Sequence, residues 1–286
     1  MKMITKNYVL HIYCMKHNFL LFTVFLSVIT ISAYSQQAVI SPVPQSVVWG
    51  ARAFGNTERF QLQGETTADV DAVRLLKSAL NLSTAGVELL ARERGDALLA
   101  GYDAKIPQVR EGYYLSVSPD RVVVAGHDSV GTFYGVQTLL QVLSSPEVMS
   151  VEITDYPDVI ERGVVEGFYG NPFSQSDRIR QFDFYGKNKM NAYIYGPKDD
   201  PYHGFSNRWR DPYPAADAQR IGELIVKAHE SKVNFIWAVH PGNDIKWTDG
   251  NGDGVVDDFK ACVNKFEMMY QLGVRSFAVF FDDIGG

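Results

Sequence analysis

From Gly163 to Asp283 the chain alternates apolar runs of strand length with amphipathic stretches of helical period, and that rhythm leaves few folds open. The four runs are Gly163-Val-Val-Glu-Gly-Phe-Tyr-Gly170, Asn191-Ala-Tyr-Ile-Tyr-Gly196, Asn234-Phe-Ile-Trp-Ala-Val-His-Pro241 and Arg275-Ser-Phe-Ala-Val-Phe-Phe-Asp-Asp283. Continuously apolar strands are covered on both faces, which is the condition of a parallel sheet under crossover helices. Helices are predicted from a Ser174 cap to about Lys189, from about Ala215 to Ser231, and from about Asp257 to Leu272. The strand starts lie about 28, 43 and 41 residues apart, which leaves room for βα units with loops. The expected fold class is α/β: a (β/α)8 TIM barrel with only its first four βα units present, preceded by a small α/β domain. A closed barrel needs eight strands, so the expectation is a chain truncated at Gly286. A natural half barrel would leave an apolar sheet edge uncovered.

The upstream domain is expected over residues 36–157. Val70, Val73, Leu76 and Leu80 recur at helical spacing within Ala68–Leu80. Tyr113-Tyr-Leu-Ser-Val-Ser and Arg121-Val-Val-Val-Ala are two strands about a Ser118-Pro119-Asp120 turn, and a second helix is predicted from about Val130 to Leu143. Asp155-Tyr-Pro-Asp158 is the predicted linker to the barrel portion, residues 158–286. Residues 1–35 form a signal peptide: Lys16 and His17 precede the uncharged run Phe19–Ser32, and Ala33-Tyr34-Ser35 supplies the cleavage site, with Met15 an alternative start. The run is shorter than the roughly 20 residues of a membrane-spanning helix. The mature chain is therefore expected to be secreted or periplasmic, with no membrane association after cleavage; an uncleaved anchor is the competing reading. A net charge of −6, with no basic run beyond the N-terminus, argues against a nucleic-acid partner. One of the two cysteines, Cys14, lies in the leader, so the mature chain has no disulfide framework. The histidines are scattered and no zinc motif occurs, so neither metal nor cofactor is expected.

In a parallel barrel the active site forms at the C-terminal strand ends. This sequence puts there Glu166-Gly-Phe-Tyr-Gly, Gly196-Pro-Lys-Asp-Asp200, His240-Pro-Gly-Asn-Asp244 and Asp282-Asp283, a polar mouth above an apolar sheet. Adjacent carboxylates on one strand end are poorly placed to flank a scissile bond from both sides, about 5 Å apart, as a conventional retaining glycosidase requires. They suit a substrate-assisted reaction in which the sugar's own 2-acetamido oxygen attacks the anomeric carbon. One aspartate would then orient the acetamido N–H, and the other would protonate the leaving oxygen and later activate water. Sharing one site should push their pKa values apart. A helix cap or a solvated loop start is the plain alternative for such a pair.

Gly163-Val-Val-Glu-Gly-Phe-Tyr-Gly-Asn-Pro-Phe, Tyr185-Gly-Lys-Asn-Lys-Met-Asn, Tyr195-Gly-Pro-Lys-Asp-Asp-Pro-Tyr, Ala238-Val-His-Pro-Gly and Arg275-Ser-Phe-Ala-Val-Phe-Phe-Asp-Asp-Ile together closely resemble the bacterial O-GlcNAcases of glycoside hydrolase family 84. Upstream, Glu111-Gly-Tyr-Tyr-Leu and Gly131-Thr-Phe-Tyr-Gly-Val-Gln-Thr-Leu look like the small α/β domain that precedes the barrel in that family and in related hexosaminidases. The resemblance implies a retaining exo-β-N-acetylglucosaminidase that removes terminal β-linked GlcNAc from glycans or glycoproteins through an oxazoline intermediate. It implies that Asp282 orients the acetamido group and Asp283 is the general acid/base. It implies that Lys198 and the backbone of Gly167 contact the sugar hydroxyls; alone, these would be a surface lysine and a tight-packing glycine. Tyr169 lines either the pocket or the core. A β-hexosaminidase, whose pair is usually Asp-Glu, and a non-catalytic glycan-binding protein are the competing readings, and a natural chain ending at Gly286 is expected to be inactive. Asp249 to Lys260 reads DGNGDGVVDDFK and partly matches a calcium loop, but Lys260 stands where the bidentate glutamate belongs, and a polar turn is the alternative.

Overall fold

A computed structural model describes residues 38–281 apart from 56–57, 66–67, 205 and 243–244, with the side chain of Asn207 left aside. The expected signal peptide, Asp244 and the Asp282–Asp283 pair lie outside the described residues. Two sheets organise the molecule. The first has six strands, β1 (Ser46–Gly55), β2 (Phe60–Leu62), β3 (Val87–Glu93), β4 (Tyr113–Val117), β5 (Arg121–Gly126) and β6 (Glu147–Asp155), in the order β1-β6-β4-β5-β3-β2. Helices α1 (Val70–Ala79) and α2 (Ser129–Val142) belong to this layer. The Asp69 carboxylate caps α1 by accepting from Ala72 N, and the Asp128 carboxylate caps α2 by accepting from Gly131 N. Leu89, Leu115, Val124 and Ile153 of the sheet share a core with Leu76 of α1 and Phe133 of α2. The opposite face, with Leu90, Tyr114 and Val123, is covered by the 3-10 turns at Ala97–Leu99 and Asp103–Lys105.

The second sheet is all parallel, in the order β10-β9-β8-β7: β7 (Gly163–Glu166), β8 (Ala192–Tyr195), β9 (Asn234–Val239) and β10 (Ser276–Val279). Crossovers run through α3 (Gln175–Lys187), α4 (Ala215–Glu230) and α5 (Asp257–Gln271), and Ser174 caps α3 as its sequence predicts. Alternate strand residues Val164, Tyr193, Tyr195, Phe235, Trp237 and Phe277 face the helices and pack with Phe182, Leu224, Ile225 and Met269. Each fully buried aromatic or aliphatic side chain of this kind contributes about 1.5–3 kcal/mol. Gly163 lies so close to β8 that a Cβ there would stand 1.7 Å from the Ala192 carbonyl oxygen, so only glycine lets the first two parallel strands pair.

The two layers are riveted by buried charges. The Lys189 ammonium donates to the Asp155 carboxylate (2.7 Å) and the Tyr113 hydroxyl (2.9 Å), and that hydroxyl also bonds Thr138 Oγ1 (2.6 Å). Arg162 pairs with Glu111, and Asn191 Nδ2 donates to the same carboxylate at 2.8 Å. Lys232 donates to Asp69 (2.6 Å) and Asp71 (2.8 Å) at the start of α1. Among the described residues, the non-glycine positions with positive φ are Glu111 (65°), Lys189 (58°) and Lys232 (59°), and all three make these inter-layer pairs. The two lysines stand just past the ends of α3 and α4, where glycine is the usual residue. A left-handed backbone costs a side-chain-bearing residue about 1–2 kcal/mol, and here the ion pairs across the junction offset it. Asp155, expected in a linker, is the last residue of β6, with its carboxylate buried between Tyr113 and Lys189.

Candidate active site

The C-terminal ends of β7 and β8 stay paired past the last strand residues. Gly196 N donates to Glu166 O (3.0 Å) and Lys198 N to Phe168 O (3.3 Å), which sets the loop after β7 beside the loop after β8. Gly167, Tyr169 and Lys198 are thereby gathered at one end of the sheet. Lys198 is buried, 6% exposed, and is no surface lysine; its ammonium lies 5.8 Å from the centre of the Tyr169 ring. Tyr169 is 62% exposed, which removes the core reading for it. A Cβ on Gly167 would stand 3.3 Å from a Val165 methyl, a close approach, so the packing reading of that glycine stays beside the sugar-contact one.

Glu166 departs from expectation. It does not join the mouth: it is fully buried, on the helix-facing side of β7 with Val164. Both its oxygens are engaged, Oε1 by Arg178 Nη2 (2.7 Å) and Phe173 N (3.1 Å), Oε2 by Arg178 Nε (2.9 Å) and the Tyr193 hydroxyl. Burial pulls the Arg178 pKa down, but the hydrogen bond to Glu166 and the electrostatic pull of Tyr195, Tyr193 and Glu166 together more than offset it, and the guanidinium stays charged. Asp200 is also structural. Its Oδ2 accepts from the hydroxyls of Tyr195 and Tyr213, both at 2.8 Å, and its Oδ1 from Tyr202 N at 2.8 Å, which shapes the loop that carries Lys198. Burial pushes both tyrosine hydroxyls well above their ordinary range, so they remain donors. The same loop is pinned from behind by Lys265, fully buried, whose ammonium donates to Asp211 O (2.5 Å) and lies 4.4 Å from the centre of the Tyr213 ring; burial brings its pKa down to about 8.

His240 is fully buried, and so is His203, which sequence reasoning did not single out. The His203 ring bonds Ala238 O through Nδ1 at 2.5 Å, so Nδ1 carries the proton, and burial lowers its pKa to about 4. It packs edge-on against Phe280, ring centres 6.0 Å apart, over Gly196, where a Cβ would lie 2.6 Å from Phe280 and 3.1 Å from His203. Phe280 N donates to Val239 O (2.8 Å), so β10 runs on beside β9 to the threshold of Asp282. A glycine where period-two alternation puts an inward side chain was the signal available for this contact. Among the described residues no three His, Cys, Asp or Glu side chains are grouped to hold a metal. In the Asp249–Lys260 loop the Lys260 ammonium sits among Asp253 Oδ1 (2.7 Å), Asn251 Oδ1 (3.1 Å) and Asp257 Oδ1 (3.9 Å), the oxygens a calcium ion would draw on.

Residues 162–286 match the family model described as beta-N-acetylglucosaminidase, and residues 37–156 match that of glycosyl hydrolase family 20, domain 2. The structure superposes on that of CpGH84B with a TM-score of 0.76 at 38% identity, covering 87% of this chain and 45% of that one. Together these matches support an O-GlcNAcase-like glycoside hydrolase of family 84. A second family 84 structure, CpGH84D, matches with a TM-score of 0.75 at 28% identity, over 88% of this chain and 45% of that one. The protein O-GlcNAcase of Rattus norvegicus is 38% identical over 122 residues, 43% of this chain and 12% of the relative. A beta-hexosaminidase of Porphyromonas gingivalis is 28% identical over 193 residues, 60% of this chain and 24% of the relative. The chain spans about half the length of the solved relatives and a smaller part of the curated ones.

Proposed function

We propose that this chain carries the catalytic aspartates of a retaining exo-β-N-acetylglucosaminidase that works through substrate assistance. The observation that carries the reading is the gathering of Gly167, Tyr169 and Lys198 at one end of a parallel sheet whose fourth strand ends at Val279, shortly before Asp282 and Asp283 in sequence. The sheet is read as an arc of a (β/α)8 barrel; the exposed apolar side chains beside β10, Phe259 (63%) and Phe281 (56%), are consistent with further strands and helices there. Lys198 and the Gly167 backbone take the sugar hydroxyls, and Tyr169 borders the pocket. Asp282 holds the acetamido N–H while the acetamido oxygen bonds to the anomeric carbon. The bond to the leaving oxygen breaks as Asp283 protonates it, giving an oxazoline. Water then adds at the anomeric carbon as its bond to the acetamido oxygen breaks, Asp283 takes the water's proton, the acetamido group is regenerated, and the configuration is retained. The substrate class is terminal β-linked GlcNAc on glycans or glycoproteins, met outside the cytoplasm if residues 1–35 act as an export signal.

The test is turnover of an aryl β-N-acetylglucosaminide by the gene product read through its natural stop codon, with Asp282→Ala as control. Turnover lost in the variant supports the reading. A folded protein that binds GlcNAc without turnover would be a glycan-binding protein instead.

A further inference from the structure

Glu166 is an ionisable group at the end of a strand that bears on the candidate site, yet it cannot do acid–base chemistry there. It is fully buried, and four donors occupy its two oxygens. Its connections instead describe a clip. The backbone of Glu166 is fixed in β7, and its carbonyl accepts from Gly196 N at 3.0 Å. Its side-chain Oε1 reaches forward to Phe173 N at 3.1 Å, across the loop 167–172. The carboxylate is held in turn by Arg178, one turn into α3, whose guanidinium lies 5.1 Å from the centre of the Tyr195 ring. The loop so closed carries Gly167 and Tyr169, and its Phe168 packs edge-on against Phe173 with ring centres 5.1 Å apart.

We propose that Glu166, locked by Arg178, is a positioning residue that sets the height and shape of the loop 167–173 and so the fit of that loop to the sugar. The inference rests on the proposed β-N-acetylglucosaminidase reading. Two parallel N–H···O bonds to a planar guanidinium fix the carboxylate in direction as well as distance, so the Phe173 amide is drawn to one place. Glutamine keeps the length but loses the charge and one acceptor. Lysine at 178 keeps the charge but loses the fork. Both changes loosen the loop without touching Asp282, Asp283 or Lys198. Contacts made alike to substrate and transition state appear in KM, so the expected signature is a rise in KM at nearly constant kcat.

The experiment uses the full gene product and an aryl β-N-acetylglucosaminide, with GlcNAc binding measured separately by calorimetry. Glu166→Gln is expected to raise KM about 10-fold and weaken GlcNAc equally, with kcat within about threefold, and Arg178→Lys to fall between it and the wild type. In the wild-type protein, hydrogen exchange should find the Phe173 amide as protected as the amides of β7, although Phe173 lies in no helix or strand. Unchanged KM in folded Glu166→Gln, or a rapidly exchanging Phe173 amide, overturns the proposal. If Glu166→Gln does not fold, Arg178→Lys and the wild-type exchange decide it. A wild type that neither turns over nor binds the sugar defeats the proposed function instead, and a protected Phe173 amide would then mark the clip as purely structural.

Discussion

Lys189 makes the junction between the two layers measurable, because two substitutions there separate its two contributions. It sits at φ 58° just past α3, and its ammonium donates to Asp155 at 2.7 Å and Tyr113 at 2.9 Å. Methionine keeps the length and the left-handed backbone but removes the charge. Breaking a buried pair by removing one partner costs about 3–5 kcal/mol. Asp155 keeps the Tyr113 hydroxyl and the Gln45 amide as donors, which places Lys189→Met near the low end, about 3 kcal/mol. Glycine removes the charge as well but relieves about 1 kcal/mol of backbone strain, for a net loss of about 2 kcal/mol. At about 2–4 °C per kcal/mol, Lys189→Met should lower the melting temperature by about 6–12 °C and Lys189→Gly by about 4–8 °C. Adding Asp155→Asn to Lys189→Met should restore part of the loss, since a neutral amide still accepts from Tyr113. Calorimetric melting at neutral pH checks all three. Equal losses in the methionine and glycine variants, or a methionine variant that melts with the wild type, would refute the reasoning.

Gly163→Ala should prevent β7 from pairing with β8, costing about 3 kcal/mol or more, and is checked by soluble yield and melting. His203 has its pKa lowered from 6.5 to about 4 by burial, so between those values the unfolded chain binds a proton that the folded chain does not; stability from this group is intact above about 6.5 and falls by about 3 kcal/mol as the pH drops to about 4. His203→Asn, whose amide can still donate to Ala238 O, should show a flatter acid limb in melting temperature against pH, and superimposable limbs would contradict the assignment. Lys260→Glu should create a calcium-dependent rise in melting temperature that EDTA reverses, while the wild type, with its own ammonium among the loop oxygens, should not respond. Asp283→Ala should lose more rate on substrates with poor leaving groups than on activated aryl glycosides, because only the former need the proton; an equal loss on both counts against the acid assignment.

The parallel sheet was legible because its strands are apolar on both faces and its crossover stretches keep helical period, the first of them with a Ser174 cap. Gly167 and Lys198 were named from the family resemblance together with their places at strand ends, and Tyr169 beside them; backbone pairing between the loops brings those places together. The six-stranded sheet was harder to see. Strand β1 is an edge strand with irregular register between Trp49 and Phe54, so it shows no clean alternation. Strand β3 is largely buried on both faces yet carries Glu88, Arg92 and Glu93, so neither alternation nor a plain apolar run marks it. Glu166 was misplaced at the mouth because acidity at a strand end was weighed and strand parity was not: two residues past Val164, it faces the helices. Its partner Arg178 and the buried Lys265 depend on contacts between elements that no local spacing encodes.

The two family models divide the chain between residues 156 and 162, but the interior does not divide there. Helix α2 of the first layer is buried along ten of its residues, and its Phe133 stands 3.3 Å from where a Cβ on Gly186 of α3 would be. Lys189 completes a polar cluster whose other members lie upstream, and Glu111 completes one whose other members lie downstream. A border between inherited modules has thus become continuous in its chemistry. Cut between Asp155 and Arg162, each half would expose charges it cannot satisfy alone, so the two sequence modules should melt in a single transition.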